Sequence, residues 1–333
     1  MDIDLRILKT IESDRGIAFG ELVEIIEAAI LAAYLKTTGV FLKRDQTHPA
    51  RAHLDRATGA VHIFSKDLDE DGNPVGDEKD VTPENFGRIA ASSAKQVIMQ
   101  RLRALADEDL MGEFSGRVGD IVMGTIQQGT KPHLIQVDLG ELEAMLPAEE
   151  QVPGEEYTHG KRIRVYITRV ERGSRGGPMV TVSRRHKMLV RKLFALEVPE
   201  IKENIVEIMG VAREAGHRTK LAVRSHRAGV SPKGSLIGPM GSRANAVMEE
   251  LHGEKIDIVD WSEDPAQFVA HALSPAKVTK VEIVDLATRS AKVTVPDYQL
   301  SLAIGKDGQN ARLAARLTGW RIDIHPDTPI TPR

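Results

Sequence analysis

Two segments of this chain repeat one pattern. Residues 235–259 read SLIGPMGSRANAVMEELHGEKIDIV, and residues 301–324 read SLAIGKDGQNARLAARLTGWRIDI. Each carries Gly-X-X-Gly, at 238–241 and 305–308, an offset of 67 residues. Each also carries Ile-Asp-Ile, at 256–258 and 322–324, an offset of 66 residues. The spacing predicts a short helix, a tight loop, a second helix ended by glycine, and a half-buried strand. In the second copy Ala311, Leu313, Ala314 and Leu317 form the apolar stripe of that helix, with Arg312 and Arg316 four apart on another face. A repeat of this length means two copies of one small domain. Two further Gly-X-X-Gly matches, at 116–119 and 173–176, sit beside predicted strands without a helix on both sides and read as turns.

Two glycines allow a sharp turn and a close approach of backbone to ligand. The loop N–H groups and the N-terminus of the following helix then make an anion site. Lys306 adds a mobile positive charge. This is a cradle for a sugar-phosphate backbone, and it resembles the GXXG loop of KH domains, which clamps about four nucleotides. The wider order of each copy supports the resemblance. Strands at Val206–Val211 and Thr219–Val223, helices at Ser231–Ile237 and Ser242–Leu251, and a strand at Ile256–Ile258 recur as Val278–Ile283, Ala291–Val295, the second loop with its helices, and Arg321–Ile324. A basic helix over Arg184–Ile201 and a helix over Asp264–Leu273 precede the two sets. The order αββααβ is similar to the type II KH fold.

The candidate RNA contacts follow. Around the first loop they are Lys233, Gly238, Pro239, Met240, Gly241 and Arg243. Around the second they are Gly305, Lys306, Asp307, Gly308, Gln309, Asn310, Arg312 and Arg321. Arg243, Lys306, Arg312 and Arg321 are the expected phosphate contacts, against the plainer reading of solvated surface charge. Gln309 and Asn310 either read base edges or cap the second helix. Ile237, Val247, Ile304 and Leu313 either line the groove or pack the core. The first loop has no basic residue inside it, so its grip leans on flanking Lys233 and Arg243.

Charge is unevenly spread. The whole chain carries −3, divided as −6 over residues 1–110, −2 over 111–183 and +5 over 184–333. The repeated part is the basic part, as a polyanion-binding module requires, although solvated charge alone gives the same split. Cysteine is absent, which excludes disulfides and cysteine–metal sites. No apolar run approaches membrane-spanning length and no signal-peptide pattern opens the chain, so a soluble, cytoplasmic protein with no membrane contact is expected.

Residues 1–110 read as an α+β domain. Helices are expected at Asp2–Ile17 and Phe19–Thr37, a hairpin at Arg51–Phe64, an exposed acidic loop at 66–82, and a helix from Pro83 to about Asp107 with Thr82 as its cap. Residues 111–183 change character, with five short strands at Ile121–Gln127, Leu134–Leu139, Glu143–Leu146, Arg162–Val170 and Met179–Ser183. That suits a Greek-key β-barrel of the OB type. Gly119–Ile126, Gly140–Pro147, Gly160–Val165 and Val180–Arg184 resemble the S1 RNA-binding domain. Bases stack on aromatics in such barrels. Here only Phe114, Tyr157 and Tyr166 are available, with His133 where an aromatic often sits. Tyr166 reads as core, and Phe114 as either core or platform.

An α+β domain, an S1 barrel and two adjacent type II KH domains together resemble the NusA family of bacterial transcription elongation factors. The carrying motifs are SLAIGKDGQNARLAARLTGW, Leu189–Phe194 followed by Glu197–Ile201, and Val211–Arg218. The resemblance covers nearly the whole chain and implies a division into 1–110 (RNA polymerase-binding), 111–183 (S1), 184–262 (first KH) and 263–333 (second KH). It implies RNA polymerase, nascent single-stranded RNA and other elongation or antitermination factors as partners, and an effect on pausing, termination and antitermination. Acidic repeats that some members carry further on are not expected to act here. The alternative is a ribosome-associated or RNA-chaperone protein with the same RNA half and no polymerase contact.

Enzyme patterns fail. A phosphate-binding P-loop needs glycine where Leu300 stands and Ser or Thr where Asp307 stands. The eleven histidines are scattered without HExxH. Asp257 and Asp323 recur at one position of both copies, which reads as structural or solvent-facing and not as an acid–base pair. No catalytic residue, metal or cofactor is expected.

Overall fold

The computed structural model describes residues 3–38, 50–69, 74–84, 86–131, 133–174 and 176–327. The chain divides into two compact units, Met1–Asp109 and Leu110–Arg333.

In the first unit, helix α1 (Leu5–Arg15) is capped by Asp4, whose carboxylate accepts from Arg6 N at 3.0 Å, and is stopped by left-handed Gly16. Helix α2 (Phe19–Thr38) buries Leu22, Ile26 and Ile30 against strands β1 (Ala50–Leu54) and β2 (Val61–Leu68), an antiparallel pair in the expected hairpin. The acidic stretch departs from expectation. Strand β3 (Pro74–Asp80) pairs with β2, setting Phe64 opposite Asp80 and Leu68 opposite Pro74. Every residue of β3 is exposed, so no apolar alternation marked it. Cross-strand ion pairs, Lys79 with Asp67 and Arg51 with Glu78, hold it instead. Residues 70–73 of that stretch lie outside the described residues.

Thr82 caps no helix. Its hydroxyl accepts from Ile63 N at 2.8 Å and donates to Asp80. Helix α3 therefore begins later, at Gly87, and it runs past Asp107 to Gly116. The extension has an apolar cause: Leu110 and Phe114 join the core of the barrel that follows.

Strands β4 (Ile121–Lys131), β5 (Leu134–Asp138), β6 (Glu143–Pro147), β7 (Arg162–Arg172) and β8 (Pro178–Ser183) close in the order β4-β5-β6-β8-β7. Alternate residues Ile163, Val165 and Ile167 point into the filled interior with Val137, Leu146 and Val182.

The helix expected over Arg184–Ile201 is shorter and broken. Helix α4 (Lys187–Glu197) is capped by His186, and α5 (Pro199–Lys202) restarts after Val198. Pro199 forces that break, since it lacks an N–H and holds Val198 extended. Arg184 lies before the helix and is 1% exposed. Its guanidinium donates to Glu155 of the barrel (Nε–Oε1 3.0 Å), to Glu250 Oε1 (3.2 Å), and to the carbonyls of Arg164 and Glu250 (2.8 Å each). A buried ion cluster thus joins the barrel to the domain after it.

That domain holds strands β9 (Val206–Glu214) and β10 (Arg218–Ser225), helices α6 (Pro232–Ile237) and α7 (Ser242–Glu250), and strand β11 (Lys255–Asp260). Helix α8 (Pro265–Ala272), β12 (Lys280–Asp285), β13 (Ser290–Val295), α9 (Leu300–Ile304), α10 (Gln309–Thr318) and β14 (Arg321–Pro326) repeat the plan. In both sheets the first two strands pair antiparallel and the second and third parallel, with the second in the middle. This is the type II KH topology expected from the sequence.

The copies differ in what covers the sheet. Strand β10 is buried on both faces from Thr219 to Val223, whereas its counterpart β13 alternates. Helix α10 of the second copy packs on β9 and β10, and a methyl at Gly210 would stand 3.2 Å from Leu317 Cδ1. Lys220 is sealed beneath, donating to Asp257 (3.0 Å) and to the Ser274 carbonyl (2.6 Å). Burial pushes its ammonium pKa down, and neighbouring Asp257 opposes that shift.

Candidate nucleic-acid interface

The two GXXG loops have the same backbone. Gly238 and Gly305 lie at φ/ψ 73/174 and 78/170, Met240 and Asp307 at 51/27 and 53/27, and Gly241 and Gly308 at 81/7 and 72/14 degrees. Gly238 and Gly305 occupy a region open essentially to glycine alone. Met240 and Asp307 are left-handed without being glycine, a strain that asparagine and aspartate tolerate better than methionine. Helices α7 and α10 start directly from these loops, and neither has a side-chain cap bond. The first N–H of each helix, that of Ser242 and of Gln309, donates to the Pro239 or Lys306 carbonyl of its own loop, so the N-terminal end of the helix dipole rather than that first N–H faces an anion there.

A latch under each loop fixes this geometry. Arg243 and Asn310 occupy equivalent positions, and each side chain reaches back to the helix before its loop. Arg243 Nη1 donates to the Ser235 carbonyl at 2.7 Å and to Glu200 at 2.8 Å. Asn310 Nδ2 donates to the carbonyls of Leu273 and Ala303 at 3.0 Å, with Leu302 O at 3.3 Å. Ser235 and Leu302 are themselves equivalent, so the same carbonyl is held in both copies by different chemistry. The structure thereby corrects two expectations. Asn310 is 2% exposed and reads no base edge, and Arg243 is bound into the fold. Asn310→Ala strips partners from the buried carbonyls and leaves a small void, an expected loss of about 2–3 kcal/mol. Denaturant unfolding followed by a probe on the second copy checks this; a loss below about 0.5 kcal/mol refutes the latch.

The remaining candidates divide by what holds their charge. Lys306 is exposed in the loop, and among the described residues no ion pair engages it. Arg321 is exposed at the start of β14. Lys233 pairs with Asp260 at 2.8 Å. Arg312 donates through Nε to Glu214 Oε1 at 2.6 Å and through Nη1 to the Asp307 carbonyl at 3.0 Å, while Gln309 Nε2 donates to the other Glu214 oxygen at 2.9 Å. Arg312 is thus bound to a carboxylate, contrary to a free phosphate contact, and Gln309 does not cap its helix. Of the groove walls, Ile237 and Ile304 are exposed beside the loops, and Val247 and Leu313 are core. Met240 is fully exposed at 103%.

The barrel offers less. Phe114 is core at 1% exposure, which removes it as a base platform, and Tyr166 is half-buried with its ring stacked on His186, centroids 4.4 Å apart. The Tyr157 hydroxyl accepts from Val152 N and donates to Glu155, while His133 is exposed. Arg164 and Arg169 are paired with Glu250 and Glu171. In the first unit, an apolar groove of about 470 Å³ lies between α1 and α3, lined by Ile3, Ile7, Leu8, Ala94, Ile98 and Met99. Among the described residues no helix is long and apolar enough to cross a membrane.

Comparison with known proteins agrees with this architecture segment by segment. A profile described as NusA N-terminal domain matches residues 5–68 and 66–108, and the S1 RNA binding domain profile matches 116–176. NusA-like first and second KH domain profiles match 184–261 and 265–330. A Mycobacterium tuberculosis protein named "Transcription termination/antitermination protein NusA" is 55% identical over 100% of this chain and 95% of its own length. Proteins of the same name from Bacillus subtilis and Thermus thermophilus are 46% and 37% identical over 96% and 94% of this chain, and over 90% and 86% of their own lengths. Paired loops of one geometry, set behind an S1 barrel and matched along the full length at such identity, establish that this chain belongs to the NusA family of transcription termination/antitermination proteins.

Proposed function

We propose that the chain holds nascent single-stranded RNA across its two KH loops while residues 1–110 bind RNA polymerase, and that this double contact modulates pausing, termination and antitermination. The domain division of the proposal is 1–110, 111–183, 184–262 and 263–333. Its activity is binding and not catalysis, in the cytoplasm, and it acts alongside other elongation or antitermination factors. The observation that carries the RNA reading is the identity of the two loop backbones at an offset of 67 residues. Loops so alike, each opening a helix with no side-chain cap, suit a repeating polyanion. The exposed apolar groove between α1 and α3 supports protein docking by the first domain.

Within this reading the phosphate cradles are Gly238-Pro239-Met240-Gly241 and Gly305-Lys306-Asp307-Gly308. Lys306 supplies the free cation, Lys233 and Arg321 flank the path, and Arg243 and Asn310 shape the loops from beneath. A fluorescence titration of the full chain with a short single-stranded RNA, at several salt concentrations, tests it. Lys306→Asp should weaken binding about tenfold and flatten the salt dependence by about 0.7 in log–log slope, one phosphate contact. Normal binding by a folded Lys306→Asp protein sinks the cradle. Polymerase co-purification, lost when residues 1–84 are removed, tests the other half; that cut leaves α3 intact. Retained co-purification would put the polymerase contact outside those residues, and no co-purification by the full chain would favour the ribosome-associated alternative.

A further inference from the structure

Glu214 ends β9 in the first KH domain, yet its carboxylate is spent on the second. It accepts from Gln309 Nε2 at 2.9 Å and from Arg312 Nε and Nη2 at 2.6 and 3.2 Å, with Arg316 Nη1 at 3.7 Å. The third nitrogen of Arg312, Nη1, donates to the Asp307 carbonyl, inside the loop itself. Every nitrogen of that guanidinium is therefore engaged, and the forked Nε–Nη2 edge, which fits a phosphate as well as a carboxylate, belongs to Glu214. The Arg312 side chain is 43% exposed and the Glu214 side chain 18%, so the cation faces solvent with the anion behind it. Hydrogen bonding from Arg312 holds the Glu214 carboxyl below its ordinary pKa, so it stays charged at neutral pH.

We propose that Glu214 sets the RNA affinity of the second loop from within the first domain: it occupies the bidentate edge of Arg312 that an RNA phosphodiester takes, and carboxylate and phosphate compete for one guanidinium. This rests on the reading of the loops as RNA cradles. The competition works across a domain boundary. The first domain presents its own loop to RNA and at the same time holds back a cation beside the other. RNA that reaches the second loop must displace Glu214 to recruit Arg312, which disfavours chance encounters at that loop and favours RNA already delivered to it by the first.

Glu214→Gln tests the proposal in the full chain. The amide keeps the length of the side chain and still accepts from Gln309, so the packing of α10 on β9 persists. A single-stranded RNA titration over several salt concentrations should show about tenfold tighter binding, the scale of one charge-assisted hydrogen bond, and a salt slope steeper by about 0.7. In an Arg312→Gln background the Glu214→Gln gain should vanish, since the two residues act as one pair. Unchanged or weaker binding by Glu214→Gln overturns the proposal. So does a gain that persists in Arg312→Gln, because it reports a general field and not a shared guanidinium. Lys306→Asp in the same series separates the levels. If it loses binding while Glu214→Gln gains nothing, only the Glu214 contact is wrong. If it binds as wild type does, the cradle reading and this one fall together.

Discussion

Gly305→Ala should destabilise the second KH domain by about 2–4 kcal/mol and abolish the RNA grip of its loop. Two costs add. The residue sits at φ 78°, ψ 170°, where any side chain is strained by about 1–3 kcal/mol. A Cβ there would also stand 2.8 Å from both the backbone nitrogen and the Cβ of Asn310. Neither atom can yield without moving the start of α10, because Asn310 is itself bound to three carbonyls. The equivalent Gly238→Ala should cost less. Its Cβ meets the Arg243 side chain near its root, 2.7 Å from Cγ and 3.0 Å from Cβ and Cδ, with no backbone atom among these nearest contacts, so the clash is relieved by turning that side chain out of its latch and not by moving the start of α7. Hydrogen exchange of the α10 and α7 amides reads each copy separately, which a global melt of a multidomain chain does not. Equal protection in the two variants would refute the difference between backbone and side-chain clashes.

Arg184→Met should cost about 3–5 kcal/mol, the range for removing one partner of a buried ion pair. The thioether stem keeps most of the packing, so the loss reports charge and hydrogen bonds. Glu155 is left 3% exposed without its main cation, and the carbonyls of Arg164 and Glu250 lose a donor. The pH dependence should change sign. In the wild type, burial pushes Glu155 up, but hydrogen bonds and charge from Arg184 outweigh it and leave the carboxyl below its ordinary value. A depressed carboxyl stabilises above its unfolded pKa of about 4.3, and that stability is lost as pH falls through the folded value. Without Arg184, burial dominates and the pKa rises. The variant then gains relative stability as pH drops from 7 towards 5, through protonation of Glu155. Urea unfolding at pH 7 and pH 5 should show the gap between the proteins narrowing. A constant gap would mean that Glu155 carries no net burial cost.

How much of this was legible in the sequence differs by kind of feature. The loops were legible because glycine at two fixed offsets, a helical stripe and a repeated Ile-Asp-Ile report local backbone demands. The barrel strands were legible from alternation and punctuation. Strand β3 was not, because its stabilising pairs are charges and its seven residues are all exposed. Arg184 read as the first residue of a basic helix, since nothing local distinguishes an arginine bound for a buried cluster from one bound for solvent. The same limit hid the latches. Arg243 and Asn310 have unlike chemistry at one repeat position, and only the shared carbonyl partner reveals a common role. Glu214 had no local signal at all, being defined by residues almost a hundred positions away. Aligning the repeats position by position would have paired Arg243 with Asn310 and raised the question of why both are polar.

The covered sheet of the first KH domain has a consequence for how the chain is made. Synthesis proceeds from the N-terminus, so β9, β10 and β11 emerge before α10 exists. Between Ala222 and Thr318 the ribosome adds about a hundred residues, roughly 5–20 s at ordinary elongation rates. Through that interval Gly210 lacks Leu317 above it, and for about its first half Lys220 also lacks the Ser274 carbonyl. The first sheet, which alternates less than its counterpart and buries both faces in the finished protein, thus passes its early life half-dressed, with Lys220 at its centre sealed only when the last helix arrives.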